Sequence, residues 1–97
     1  MEEVRPLVLR ITPRALSHLA NIENYIARDR PKAADGVGVR LRESFDFLCD
    51  FPGVGHQGKR QNTLEWPVPS LPYIVIYRVR RSFLEVVGVY HGAQHFR

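Results

Sequence analysis

The sequence predicts an α+β fold in which a helical hairpin packs on a curved antiparallel sheet, with elements in the order β-α-α-β-β-β. Three observations lead there. Between residues 13 and 50, apolar side chains recur at steps of three and four, the spacing of a helix face. Beyond residue 63 they alternate or run together, as in strands. Between these parts lies a polar stretch with Gly53, Gly55 and Gly58, which reads as a loop. All of it fits one domain over residues 1–97, because a chain of 97 residues has room for a single core.

Leu7, Leu9 and Ile11 alternate with Val8, Arg10 and Thr12 and form the first strand. Thr12 and Pro13 then start a helix. The hydroxyl caps a free N–H group, and the proline stands where its missing N–H costs nothing. Ala15, Leu19, Ile22 and Ile26 make the apolar stripe. This helix should stop near Arg28 to Arg30, since Pro31 disfavours helical backbone angles in the residue before it. Pro31 opens a second helix, with Ala34, Val37, Leu41, Phe45 and Leu48 as its stripe and Asp50-Phe51-Pro52-Gly53 as its end. Gly36 and Gly38 lie inside it at about 1 kcal/mol each against alanine, and close helix–helix approach is a natural reason for them. After the loop, Thr63 to Val68 is a strand that Pro67 and Pro69 restrict to an edge or a bulge. Tyr73 to Val79 has the continuous apolar and aromatic character of a central strand. Arg80-Arg81-Ser82 makes a tight connection, and Phe83 to Tyr90 supplies the last strand. Met1 to Pro6 and the loop from Gly55 to Gln61 are expected to be loosely held.

Composition excludes several classes. With 44% hydrophobic and 25% charged residues the chain reads as a folded domain, not a disordered one. No apolar run approaches the roughly 20 residues that span a bilayer, and the acidic start with Pro6 does not open a signal peptide. A cytoplasmic protein with no membrane partner is expected. Cys49 is the lone cysteine and has no disulfide partner, and no Cys/His spacing suits zinc. Glycine-rich nucleotide loops and a Gly-x-Ser-x-Gly nucleophile are missing too, so neither metal nor cofactor is expected.

Charge is unevenly placed. Residues 1–58 hold eight basic and eight acidic side chains, while residues 59–97 hold Lys59, Arg60, Arg78, Arg80, Arg81 and Arg97 against Glu65 and Glu85. The whole net charge of +4 sits in the second part. Such asymmetry fits an anionic partner, either nucleic acid or an acidic protein segment. A basic surface with no special partner is the plainer reading.

Tyr73, Tyr77 and Tyr90 share the strands with Arg78 and Arg80, near Lys59 and Arg60. Aromatic rings for stacking and cations for phosphate suit a nucleic acid. The same set also suits metal-free phosphodiester cleavage, with Tyr90 and His91 transferring protons and Arg78 or Lys59 stabilising charge. The plainer alternative makes the tyrosines packing residues and the arginines a solvent face. His18 and His56 read as ordinary surface residues. Trp66, between Glu65 and Pro67, reads as a cover for the sheet edge and as a candidate anchor for a partner.

Five segments in order carry a family resemblance. They are Thr12-Pro13-Arg14-Ala15, Tyr25 to Ala34, Phe51-Pro52-Gly53-Val54-Gly55, Leu71 to Val79 and Val89 to Gln94. Over residues 8 to 95 the chain resembles the RelE/ParE superfamily of type II toxin–antitoxin toxins, whose β-α-α-β-β-β fold agrees with the reading above. The resemblance implies growth arrest relieved by a small, mostly acidic antitoxin, with Leu16, Ala20, Tyr25 and Trp66 as candidate antitoxin contacts. RelE-like members cleave messenger RNA on the ribosome and typically carry an arginine after the aromatic residue that opens the central strand. Here Ile74 follows Tyr73. The run Leu71 to Arg78 looks like the ParE branch instead, whose members are associated with poisoning DNA gyrase. Two mechanisms are therefore implied. The first is a gyrase-binding toxin without chemistry of its own, facing a gyrase–DNA complex through Lys59, Arg60, Arg78, Arg80 and Arg81. The second is a ribosome-dependent, metal-independent endoribonuclease using Arg78, Tyr90 and His91.

Overall fold

The computed structural model describes residues 6–95, so Arg97 and all but the last residue of the Met1 to Pro6 segment lie outside it. The chain runs β1 (Val8–Ile11), α1 (Pro13–Ala27), α2 (Pro31–Asp50), β2 (His56–Gln57), β3 (Leu64–Pro67), β4 (Tyr73–Arg80), β5 (Phe83–His91) and α3 (Gly92–His95). Strand order is β1-β5-β4-β3-β2, which puts the most apolar strand, β4, in the middle. The helical hairpin on a sheet is as the periodicities predict. The two-residue β2 and the four-residue α3 are additions, too short to leave a periodic signal.

One expectation needs correcting. The sheet is mixed, because β1 pairs parallel to β5, with Leu9 opposite Leu84 and Ile11 opposite Val86. Strands β2 to β5 are antiparallel neighbours joined by short connections. No hairpin joins residues 8–11 to residues 83–86, and alternation in sequence carries no information about direction.

Local chemistry sets the helix bounds. The Thr12 hydroxyl accepts the Ala15 N–H at 3.2 Å. The N–H groups of Asp29 and Arg30 close on the Ile26 carbonyl, and Pro31 then starts α2. Ala15 and Leu19 of α1 and Leu41, Phe45 and Leu48 of α2 are buried against Val75, Tyr77, Leu84 and Val86. Each large apolar side chain removed from water contributes about 1.5–3 kcal/mol. Gly38 faces α1, where a Cβ would stand 2.6 Å from Glu23 Oε1, the movable end of a side chain. Close helix approach does not explain Gly36, where a Cβ would meet nothing within 4 Å.

The loop from Gly55 to Gln61 is tied down rather than loose. Buried Tyr77 donates its hydroxyl to the Pro52 carbonyl at 2.8 Å and accepts the Gly55 N–H at 3.0 Å. The Glu65 carboxylate accepts the Lys59 N–H at 3.0 Å, and the Gly58 N–H reaches the Thr63 carbonyl at 2.8 Å. On its outer side β3 is paired only at Leu64 and Glu65, and Pro67, with no N–H to offer, stands beyond them.

Candidate functional site

Helices α1 and α2 cover one face of the sheet, and the other face carries the basic residues. Arg78 and Arg80, two apart on β4, emerge on the same side and line a groove of about 650 Å³ with Gln57, Gln61 and Asn62. Arg78 is committed, however: its Nε donates to Glu85 Oε1. Arg10 approaches the same carboxylate at 3.8 Å, with its guanidinium 4.0 Å over the Phe83 ring. Register places Arg10, Glu85 and Arg78 in one row across β1, β5 and β4. Glu85 is only 6% exposed, and a carboxylate withdrawn from water needs such compensation. Lys59 and Arg60 stand across the β2–β3 loop. They line a second hollow of about 250 Å³ with Glu65, Ile76, Val87 and Tyr90.

A larger groove, about 680 Å³, opens between α1 and the far end of β5, lined by His18, Ile22, Tyr25, Tyr73, Tyr90 and His91 among others. It exists because β1 ends at Ile11, opposite Val86, while β5 continues to His91. Past Val86, among the described residues, no strand pairs with the outer edge of β5, and side chains at the start of α1 answer its backbone groups. The Thr12 hydroxyl lies 3.5 Å from the Val87 carbonyl, and His18 Nδ1 accepts the Val89 N–H at 3.2 Å. His18 also packs against Tyr90, with ring centroids 4.7 Å apart. Gly88 makes room for both rings: a Cβ there would stand 2.7 Å from Tyr90 and 3.3 Å from His18. The sequence placed His18 among ordinary surface residues, which the structure corrects. The available signal was Gly88, a glycine inside an otherwise apolar strand.

An accepting Nδ1 requires a neutral His18 with its proton on Nε2. Burial, with Arg14 second, lowers the pKa of this ring below its ordinary 6.5. As pH falls, the unfolded chain therefore takes up the proton first. The stability His18 contributes is complete above about 6.5 and is lost as pH falls through the lowered folded value. In His18→Gln the side-chain oxygen can accept the same N–H without titrating. Melting curves from about pH 7.5 to about pH 5 should show the wild type losing ground to this variant on acidification. Parallel pH profiles would contradict the assignment.

The remaining candidates are scattered. Tyr77 is fully buried and Tyr73 is 8% exposed in the core, so of the three tyrosines only Tyr90 shares a hollow with Lys59 and Arg60. Arg78, Tyr90 and His91 do not line one cavity: Arg78 belongs to the first groove, and His91 to the α1 groove. His91 Nδ1 accepts the Ala93 N–H at 3.1 Å, and its ring meets Tyr73 edge-on. Tyr25 is 72% exposed on the wall of the α1 groove, while Leu16 and Ala20 are exposed elsewhere on α1. Trp66 stacks on Phe47 of α2 and lines a separate hollow. Among the described residues no three His, Cys, Asp or Glu side chains gather as a metal site would need. No helix there is long and apolar enough to cross a membrane.

A sequence model describing the ParE toxin of the type II toxin–antitoxin system parDE matches residues 9–96. The chain belongs to this ParE toxin family. The ParE-family chain is 36% identical over 88 residues to Y4kP of Sinorhizobium fredii, covering 91% of each protein. It is 32% identical over 83 residues to Toxin RelE2 of Caulobacter vibrioides, covering 86% of this chain and 92% of the relative. Its fold is similar to that in the chromosomal ParDE system of P. aeruginosa, with a TM-score of 0.81 at 16% identity over 88% of this chain and 95% of the other. A weaker likeness, TM-score 0.62 at 21% identity, links it to the RelBE2 toxin–antitoxin complex of Mycobacterium tuberculosis over 90% and 99% of the two chains. The ParE family match spans β1 to α3, and so takes in both the basic face and the α1 groove.

Proposed function

We propose that this ParE-family toxin arrests bacterial growth by binding a DNA gyrase–DNA complex, without chemistry of its own, and that a small cognate antitoxin silences it by direct contact. Ile74 carries the choice of target. It is the second residue of β4, on the face opposite the helices, and is 5% exposed. Gly92 of α3 packs close to it, since a Cβ there would lie 3.9 Å from Ile74 Cδ1. A buried isoleucine offers no charge to a developing phosphorane, where RelE-like ribonucleases carry an arginine.

The cations that remain exposed support an anionic target. Arg81 occupies the β4–β5 turn at φ 55°, a left-handed conformation that asparagine or glycine adopts more easily. A charge kept at a strained position fits a role in contact. In an Arg80→Ala, Arg81→Asn variant, toxicity should fall while stability changes by no more than about 0.5 kcal/mol. Full toxicity would remove both residues from the target surface.

The α1 groove, with Tyr25 on its wall, suits an apolar helix of the antitoxin. Binding there is driven by burial, so the pair should stay together at about 0.5 M salt, where surface charge attraction is largely screened. Dissociation by salt alone would make charge the main force.

The endoribonuclease reading draws on the likeness to Toxin RelE2 and on Tyr90 sharing a hollow with Lys59 and Arg60. One experiment separates the two. Expression of this chain alone should stop growth and induce the DNA-damage response, and co-expression of the adjacent small gene should restore growth. Rapid loss of translation with codon-phased messenger RNA cuts, and no DNA damage, would favour the ribonuclease.

A further inference from the structure

The end of α2 bears an aromatic surface apart from the basic face and the α1 groove. The Phe47 ring stacks on Trp66 of β3 at 5.2 Å and lies 5.1 Å from the Phe51 ring. Phe47 is 39% exposed, Phe51 55% and nearby Val54 46%. Three carboxylates border this surface. Glu43 and Asp50 neighbour Phe47 on the helix surface, four positions before and three after it, and Asp46 precedes it one step around α2. All three are exposed, and among the described residues none has an ion pair or a side-chain hydrogen bond. Arg40 lines the same hollow as Glu43, Phe47 and Trp66, donating there to the Pro69 carbonyl at 2.6 Å, while Arg42 faces Glu23 at 3.8 Å.

Asp50 closes α2, where a carboxylate is unfavourable because the last free carbonyls already make that end negative. The last turn of α2 has no basic residue to offset it. The carboxylate field reaches inward, where Asp46 and Asp50 add to burial in raising the Cys49 thiol above its ordinary range. In a protein of net charge +4, three carboxylates thus outnumber, among the described residues, the one arginine beside an exposed aromatic stack.

We propose that this surface docks a basic segment of a partner polypeptide. The segment sets a leucine-sized or aromatic side chain on Phe47, Phe51 and Trp66 and places lysines or arginines against Glu43, Asp46 and Asp50. Charge complementarity selects that occupant. An acidic antitoxin tail or a nucleic acid is repelled here. A second copy docking through the same patch would bring the same three carboxylates face to face. Cations from outside relieve the repulsion, and the apolar anchor covers the rings.

Trp66 is the single tryptophan of the chain, so its fluorescence reports on this surface directly. The full chain is titrated with three synthetic peptides of equal length: an amphipathic lysine–leucine peptide, its glutamate–leucine counterpart, and a lysine–serine peptide. A saturable change is expected with the first alone. It should weaken at least tenfold in Phe51→Ser and in the Glu43→Gln, Asp46→Asn, Asp50→Asn variant, both with wild-type circular dichroism and melting. No saturable change, equal binding of either control peptide, or binding untouched by both variants would overturn the proposal. So would a Trp66 signal that follows protein concentration alone with dimers in sedimentation, which would make a second copy the occupant.

Discussion

Tyr77→Ala is expected to lower the unfolding free energy by about 3–5 kcal/mol, the range for removing a fully buried aromatic side chain. Domains of this kind are stable by only about 5–15 kcal/mol, so the variant should be at the edge of unfolding. Two contributions are at stake. The ring is wholly enclosed between the sheet and the helices. Its hydroxyl holds the Pro52 carbonyl and the Gly55 N–H, the points where the chain leaves α2 for the basic loop. Tyr77→Phe keeps the ring and leaves both groups without this partner, which should cost about 1–3 kcal/mol. Denaturant unfolding of the two variants separates packing from hydrogen bonding. Faster hydrogen exchange at Gly55 in Tyr77→Phe would show that the hydroxyl restrains the loop. A change below about 0.5 kcal/mol would mean that the loop is held by Glu65 instead.

Gly88→Ala is expected to destabilise by about 1–3 kcal/mol, the usual range for overpacking a filled site. The new methyl collides with Tyr90 and crowds His18, so both rings must move. The same movement reshapes the α1 groove, and antitoxin affinity should fall with stability. Adding Tyr90→Ala removes the obstructing ring. The double variant should therefore lose less than the sum of the two single losses, a coupling of at least about 0.5 kcal/mol. Simple additivity would mean that Gly88 and Tyr90 do not compete for this space.

The elements governed by local chemistry were legible. Thr12-Pro13 and Pro31 mark the helix starts, and the continuous apolar run from Tyr73 marks the central strand. What depends on contacts between distant segments was not. The direction of β1 is set by pairing with a strand some 75 residues away. The role of His18 arises only because β1 stops four residues into that pairing and leaves the Val89 N–H in need of an acceptor. Charge counting found Arg78 but not its tie to Glu85, since that row forms only when three strands align. The loop after Gly53 looked loose because the groups that fasten it, Tyr77 and Glu65, belong to strands beyond it.

Toxic action on gyrase is the central claim, and the purified proteins test it most directly. This chain is incubated with DNA gyrase, ATP and supercoiled plasmid, and the products are denatured and resolved by electrophoresis. Trapped gyrase should appear as linear plasmid that accumulates with toxin concentration and disappears when the cognate antitoxin is added. Intact plasmid with normal supercoiling, while the same preparation cuts messenger RNA on ribosomes, would contradict the account.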